Sequence, residues 1–214
     1  ADDGIAIHFS ESSRIVNSLY SERSDVFHCI YEDALGDVAR TLEDSGFQYN
    51  FVAYEQIEQG ELADHGYKVL FLPNSRAISD REVENILEFA RNGGLVVADI
   101  MPAILKKSGA KRPASALAEL FPRDKPDTVT EVGKGRAVLI GTDTFSGYYR
   151  MHGGREDWRE LRGRWGKMAE LLQRYAGMEP AVSIKSLEGE MPPTEIARFD
   201  AGGIELVGLM RSYF

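Results

Sequence analysis

The sequence predicts an α/β fold, a doubly wound and mostly parallel sheet with helices on both faces, followed by a short all-β segment. Three observations carry this. The run Tyr67-Lys68-Val69-Leu70-Phe71-Leu72-Pro73 is apolar along nearly its whole length, as a strand covered on both faces is. Strand-type and helix-type runs alternate through the first hundred residues with short connections, which calls for right-handed crossovers. Near Gly177 to Pro180 the pattern switches to short strand-type runs broken by proline and glycine. That switch divides the chain into an α/β domain over 1–178 and a β segment over 179–214.

Taken in order, Gly4 to Phe9 is a strand that breaks at Ser10-Glu11-Ser12-Ser13, and a helix follows through Ile15, Val16 and Leu19. Leu35, Val38, Ala39 and Leu42 recur at helical spacing, and Gly46 sits where a helix end takes a left-handed residue. Tyr49 to Tyr54 and Tyr67 to Pro73 are the next strands. Ser79 and Glu82 have the spacing of a capping box, Val83, Ile86, Leu87 and Ala90 form one apolar stripe, and Asn92-Gly93-Gly94 stops the helix. Leu95 to Asp99 is a fourth strand.

Lys106, Lys107, Lys111 and Arg112 mark a basic loop, predicted to be mobile, before a short helix around Leu117 and Leu120. Thr128 to Val132 and Arg136 to Ile140, joined by Gly133-Lys134-Gly135, read as a hairpin whose second strand finishes the main sheet. Trp158, Leu161, Trp165, Met168, Leu172 and Tyr175 follow a helical period that Gly177 closes. Ala181 to Ser186, Thr194 to Phe199 and Ile204 to Met210 are the strands of the tail.

The bulk properties exclude several function classes. With 43% hydrophobic and 28% charged residues in 214, the chain is globular, with enough length for one sizeable core. A net charge of -9 opposes loose binding to nucleic acid or anionic lipid. No run approaches a membrane span or a secretory leader. Cys29 is the single cysteine, so a reducing, cytoplasmic setting is the simpler expectation. The opening Ala1-Asp2-Asp3 and the apolar end from Leu206 to Phe214 point to a processed or excised fragment.

Ligands of open α/β sheets bind outside the carboxyl ends of the strands. The candidates there are Ser10, Glu11 and Arg14 after the first strand, Asn74, Ser75 and Arg76 after the third, and Asp99 with Met101 after the fourth. Thr142, Asp143 and Thr144 follow the later strand. The same residues also suit solvated turns, and both readings stand. No glycine lies between Ser10 and Arg14, which disfavours a phosphate cradle. Neither a Gly-x-Ser-x-Gly nor a Gly-x-Cys-x-Gly turn occurs to present a nucleophile. Cys29 beside His28 is a thiol candidate, but adjacent helical residues diverge by about 100°, so a buried structural cysteine is favoured. His8, His28, His65 and His152 lack metal-ligand spacing, and neither metal nor cofactor is expected. Trp158 and Trp165 share the helical stripe that faces a core, which favours packing over sugar stacking.

Three runs of residues resemble the middle, trimerisation domain of family 42 glycoside hydrolases, enzymes of the β-galactosidase type. They are Gly4 to Ser10, Tyr67 to Pro73, and Ser79-Asp-Arg-Glu-Val continuing to Phe89-Ala-Arg-Asn-Gly-Gly94-Leu-Val-Val-Ala-Asp99. Gly133 to Val138 is similar to the late hairpin of that domain, and Thr194 to Phe199 with Ile204 to Arg211 to the first strands of the small β-domain that follows it. The resemblance implies a flavodoxin-like, class I glutamine amidotransferase-like fold without the cysteine–histidine pair, and a role in subunit contacts. It also implies that the catalytic residues sit in a preceding barrel, so no catalytic residue is carried over. The expected function is a non-catalytic accessory or oligomerisation domain of a larger glycoside hydrolase, self-associating, with a trimer as one form, or docking on other domains. The rivals are a small-molecule or carbohydrate-binding module using the strand-end loops, and a hydrolase or amidotransferase with an unusual nucleophile.

Overall fold

The computed structural model describes residues 2–20, 30–141, 158–187, 189 and 194–211. The elements run β1 (Ile5–Phe9), α1 (Glu11–Tyr20), α2 (Ile30–Asp44), β2 (Asn50–Ala53), α3 (Tyr54–Glu58), α4 (Glu61–Asp64) and β3 (Val69–Leu72). They continue with α5 (Asp80–Arg91), β4 (Leu95–Ala98), β5 (Thr128–Val132), β6 (Gly135–Leu139), α6 (Trp158–Ala176), β7 (Thr194–Asp200) and β8 (Glu205–Arg211). One six-stranded sheet has the order β2-β1-β3-β4-β6-β5, parallel except for β5, which pairs antiparallel with β6. This is a flavodoxin-like arrangement. β7 and β8 form a separate antiparallel ribbon.

Period-two alternation builds two cores, one on each face of the sheet. Ala6, Leu70, Leu72, Val96, Ala98, Ala137 and Leu139 face α3, α4 and α5, where Ile57, Leu62, Ile86 and Phe89 meet them. Ile5, Ile7, Val69, Phe71, Leu95, Val97 and Val138 face α2 and α6, against Leu42, Met168 and Leu172. Each residue of β3 and β4 therefore serves one core or the other. That requirement is why these two strands are apolar throughout.

The helix at Asp80–Arg91 starts as the sequence predicts: Glu82 N–H donates to Ser79 Oγ at 3.1 Å, and Ser79 N–H donates to Glu82 Oε2 at 2.7 Å. At its other end the hairpin docks, with Lys134 N–H donating to Arg91 O and Arg136 N–H to Gly94 O. A Cβ at Gly135 would collide with the Ala90 and Gly94 carbonyl oxygens, and Gly133 has φ 59. The glycines thus do more than turn the hairpin; they let it close on the C-terminal end of α5.

Several expectations are corrected. Residues 181–186 form no strand; they run beside the end of α2, with the Val182 carbonyl against Gly46. Around Leu117 and Leu120 there are turns in place of a helix, with Phe121 N–H donating to Leu117 O and Ser115 Oγ spent on the Leu117 N–H and the Pro102 carbonyl. α3 and α4 escape a periodicity reading because Gly60, with φ 97, divides them and each buries one large apolar side chain, Ile57 and Leu62. The basic loop is pinned: Arg112 Nη2 donates to Ile78 O and pairs with Asp80 at 2.7 Å, and Leu105 bridges both Ala77 and Lys111.

Among the described residues the polar contacts that hold the ribbon to the α/β domain come from β7. Gln48 Nε2 donates to Ile196 O at 2.8 Å, Arg198 N–H donates to Gln48 Oε1 at 3.1 Å, and the Arg198 guanidinium pairs with Asp3. Among the described residues no helix is long and apolar enough to cross a membrane.

Candidate functional site

The chain leaves β1 toward β2 on one side and reaches β3 on the other, so the topological switch point lies between β1 and β3. Their carboxyl ends, with that of β4, form the crevice where this fold binds ligands. The structure gathers Asn74, Ser75, Arg76 and Asp99 there and supplies Asn17, His8 and Glu82 as their partners.

Asn74 follows β3 with φ 45, a left-handed conformation that asparagine tolerates better than most residues. Its N–H donates to Asp99 Oδ1 at 2.7 Å, which ties the β3 loop to the end of β4. Arg76 Nε–H is shared between Asn17 Oδ1 at 3.1 Å and Asn74 Oδ1 at 3.2 Å. Asn17 Nδ2 donates to Ser13 O and Asn74 O, so α1 is stitched to the same loop. Burial pushes the Asp99 carboxyl up to about 6, against the opposing pull of the Asn74 N–H and the Arg76 charge. Among the described residues the two terminal nitrogens of Arg76 have no hydrogen-bond partner.

Beneath this loop lies a hydroxyl, an imidazole and a carboxylate in line. Ser75 Oγ lies 2.9 Å from His8 Nδ1, and His8 Nε2 lies 2.9 Å from Glu82 Oε1. An ionised Glu82 only accepts hydrogen bonds, so His8 Nε2 carries the proton. The single proton of the Ser75 hydroxyl has two acceptors within reach, His8 Nδ1 at 2.9 Å and the Pro73 carbonyl at 3.2 Å. The three residues are 0%, 0% and 1% exposed, and Glu82 is also held by the α5 cap. They have the composition of a nucleophilic triad without access for a substrate. In this state they lock β1, the β3 loop and α5 together.

The other candidates serve structure. Ser10 caps α1: its Oγ accepts from Ser13 N–H and donates to Ala77 O, and its own N–H donates to the Tyr31 hydroxyl. Glu11 and Arg14 form a two-pronged ion pair on half-exposed surface, which holds the Glu11 carboxyl below its usual range. Arg14 also lies 3.6 Å from Glu32. Met101 packs against the core facing α5. Cys29, His28, His152 and residues 142–144 lie outside the described residues, as do the side chains of Trp158 and Trp165. Among the described residues no group of three metal-ligating side chains converges.

Sequence reasoning missed His8, Asn17 and Glu82 as members of this cluster. His8 was the one polar residue in an otherwise apolar strand, a visible signal, but its partners are 67 and 74 residues away along the chain. A cleft of about 850 Å³ lies elsewhere, at the amino ends of the strands, between Gly66–Lys68, Gly93–Leu95, Arg136 and the end of α6.

No protein-family model and no curated protein matches the sequence. Solved structures do match in fold. The chain is similar to a GH42 β-galactosidase from G. stearothermophilus, with TM-score 0.68, 15% identity, and coverage of 99% of this chain and 35% of that one. It is similar to a β-galactosidase from Bacillus circulans sp. alkalophilus, with TM-score 0.68, 13% identity, and coverage of 97% and 35%. A GH42 exo-carrageenase from Bacteroides ovatus matches at TM-score 0.53 and 15% identity over 97% of this chain and 22% of that one. The likeness is one of fold, and this chain spans about a third of the length of the two β-galactosidases: the resemblance read from the sequence holds at the level of the fold, over one part of those proteins.

Proposed function

We propose that this chain is an accessory domain of a glycoside-hydrolase-type protein, serving assembly and breaking no bond itself. The observation that supports this most is the fold match, which takes in nearly the whole of this chain and only 35% of the β-galactosidases it resembles. The strand-end crevice is consistent with it: Ser10, Asn74 and Ser75 are spent on holding loops, and the serine of the Ser75–His8–Glu82 line is enclosed. The trimerising, amidotransferase-like role of the resembling domain belongs to this proposal. The test is to assay the purified chain with an aryl β-galactoside and with glutamine. Rates equal to the buffer blank are expected; turnover that disappears in Ser75→Ala would overturn the reading.

A second reading, a carbohydrate-binding module, is favoured by one observation. Arg76 presents two unengaged guanidinium nitrogens beside a carboxyl that titrates near 6, a pair suited to sugar hydroxyls or a sugar carboxylate. A ligand present at 100 times its dissociation constant stabilises by about 2.7 kcal/mol. A thermal-shift screen of neutral and acidic sugars, repeated on Arg76→Ala, tests this reading. A shift lost in the variant supports it, and no shift with any sugar rejects it.

A further inference from the structure

The charges of this chain are balanced locally except at Arg76. Among the described residues five arginines are partly or fully buried: Arg14, Arg76, Arg112, Arg136 and Arg198. Arg14, Arg112, Arg136 and Arg198 each hold a carboxylate. Arg76 holds none. Its Nε–H is shared by the neutral amide oxygens of Asn17 and Asn74, and its two terminal nitrogens have no hydrogen-bond partner among the described residues. The two amides fix the guanidinium without neutralising it. In a chain of net charge -9, a cation drawn partly out of water and left without a counter-ion is an exception.

Its neighbours leave matching groups open. Asn74 is 2% exposed and spends Oδ1 on the Arg76 Nε–H, while its Nδ2 has no partner among the described residues and reaches solvent. Asp99, partly buried at the end of β4, feels the Arg76 charge without being paired to it. The backbone around these groups is held under strain. Of the three non-glycine residues with positive φ among the described residues, two brace this loop: Asn74 at φ 45, and Ala103 at φ 53, whose N–H donates to Ser75 O at 3.0 Å. Strain of this kind persists only where the surrounding fold enforces it, and it gathers at ligand sites. The donors are therefore in place before a ligand arrives, which lowers the cost of binding one.

We infer that the strand-end crevice takes the carboxylate of a sugar acid of the hexuronate class, with the terminal nitrogens of Arg76 as a two-pronged anchor and Asn74 Nδ2 as a further donor. This rests on the second reading above, a carbohydrate-binding crevice, and names its ligand. A carboxylate is planar and brings one negative charge to one arginine. Phosphate fits less well, because Asn74-Ser75-Arg76 contains no glycine to open a cradle of backbone N–H groups. Asp99 and Asn74 Nδ2, an acceptor and a donor beside the anchor, suit ring hydroxyls. Burial raises the Asp99 carboxyl to about 6, while the N–H groups of Asn74, Asp99 and Ile100 and the Arg76 charge pull it down. Above that pH an ionised Asp99 repels the ligand carboxylate, and below it the protonated form does not. Binding is therefore tighter at pH 5 than at pH 7.5.

Titration calorimetry of the purified chain with galacturonate, its methyl ester and galactose, at pH 5 and pH 7.5, separates the charge from the ring. Galacturonate is expected to bind about tenfold more tightly than the ester or galactose, and about tenfold more tightly at pH 5 than at pH 7.5. Arg76→Gln lowers the galacturonate affinity by about tenfold or more. Asp99→Asn raises it at pH 7.5 and removes the pH dependence, a gain that a misfolded variant cannot give. Equal binding of galactose and galacturonate, lost in Arg76→Gln, overturns the inference and leaves the carbohydrate-binding reading standing. Galacturonate binding that Arg76→Gln leaves unchanged also overturns it, by moving the anion to another site. No binding of any of the three compounds overturns both.

Discussion

The six-stranded sheet and the two-stranded ribbon solve the same problem to different extents. In the sheet every central strand has a partner on each side and a core on each face, and the polar groups at its carboxyl end, the two terminal nitrogens of Arg76 and Asn74 Nδ2 apart, are matched with one another. In the ribbon β7 is covered on one face, whereas among the described residues four large apolar side chains of β8 stand half in solvent. The difference teaches where stability resides. The sheet holds its shape through internal contacts, and the ribbon is held to it through β7.

Mutations sharpen that contrast, beginning with the sheet. Gly135→Ala forces a Cβ into the carbonyls at the end of α5 and is expected to cost about 3–4 kcal/mol, read as a fall in the urea midpoint at unchanged slope. Glu82→Ala strips His8 and the Ser79 N–H of their acceptor inside the fold and costs about 3 kcal/mol, measured the same way; a loss under 1 kcal/mol would mean that water reaches the cluster.

Asp99 gives an effect of intermediate size with a defined sign. Its folded pKa of about 6 lies above the usual carboxylate value of 3.8, so the protonated form favours folding. That contribution is complete below about pH 4 and is lost as pH rises through 6. Asp99→Asn keeps an acceptor for the Asn74 N–H and removes the ionisation. It should melt higher than the parent at pH 7.5, by about 1–3 kcal/mol, with little difference at pH 4. Equal melting curves at both pH values would show that the carboxyl is not strained by burial. The smallest effect is expected in the ribbon. Leu209→Lys in dilute solution should change stability by less than about 0.5 kcal/mol, because the side chain is already in water. A large loss there would break the comparison by showing that β8 supports the fold.

Much of the frame was legible in the sequence because its signals are local. The alternation of Val69, Leu70, Phe71 and Leu72 between two cores, the Ser79–Glu82 cap and the Gly133–Gly135 hairpin each depend on residues within a few positions. The short helices α3 and α4 were hidden because neither has two turns to show a period. Residues 181–186 have the alternation of a strand but find no ladder, and pairing is decided by neighbours distant in sequence. The candidate site was half legible for the same reason. Strand-end loops identify Asn74, Ser75, Arg76 and Asp99, but nothing local to His8 reveals that it bridges Ser75 and Glu82. Nor does the residue type distinguish a serine that faces a ligand from Ser10, which is consumed by a cap.

The docking of the glycine hairpin on α5 also has a consequence for the order in which the chain folds. β5 and β6 are neighbours in sequence and can form their ladder early, as hairpins do within microseconds. Their seat, however, is made of the Arg91 and Gly94 carbonyls, which face the hairpin only once α5 has ended and β4 has begun. Addition of β6 to the growing sheet must therefore wait for the α5–β4 unit, although β5 and β6 are ready beforehand. In a folding experiment protection of the amides that join β6 to β4 and to the end of α5 would follow that of α5 itself, and so report its completion.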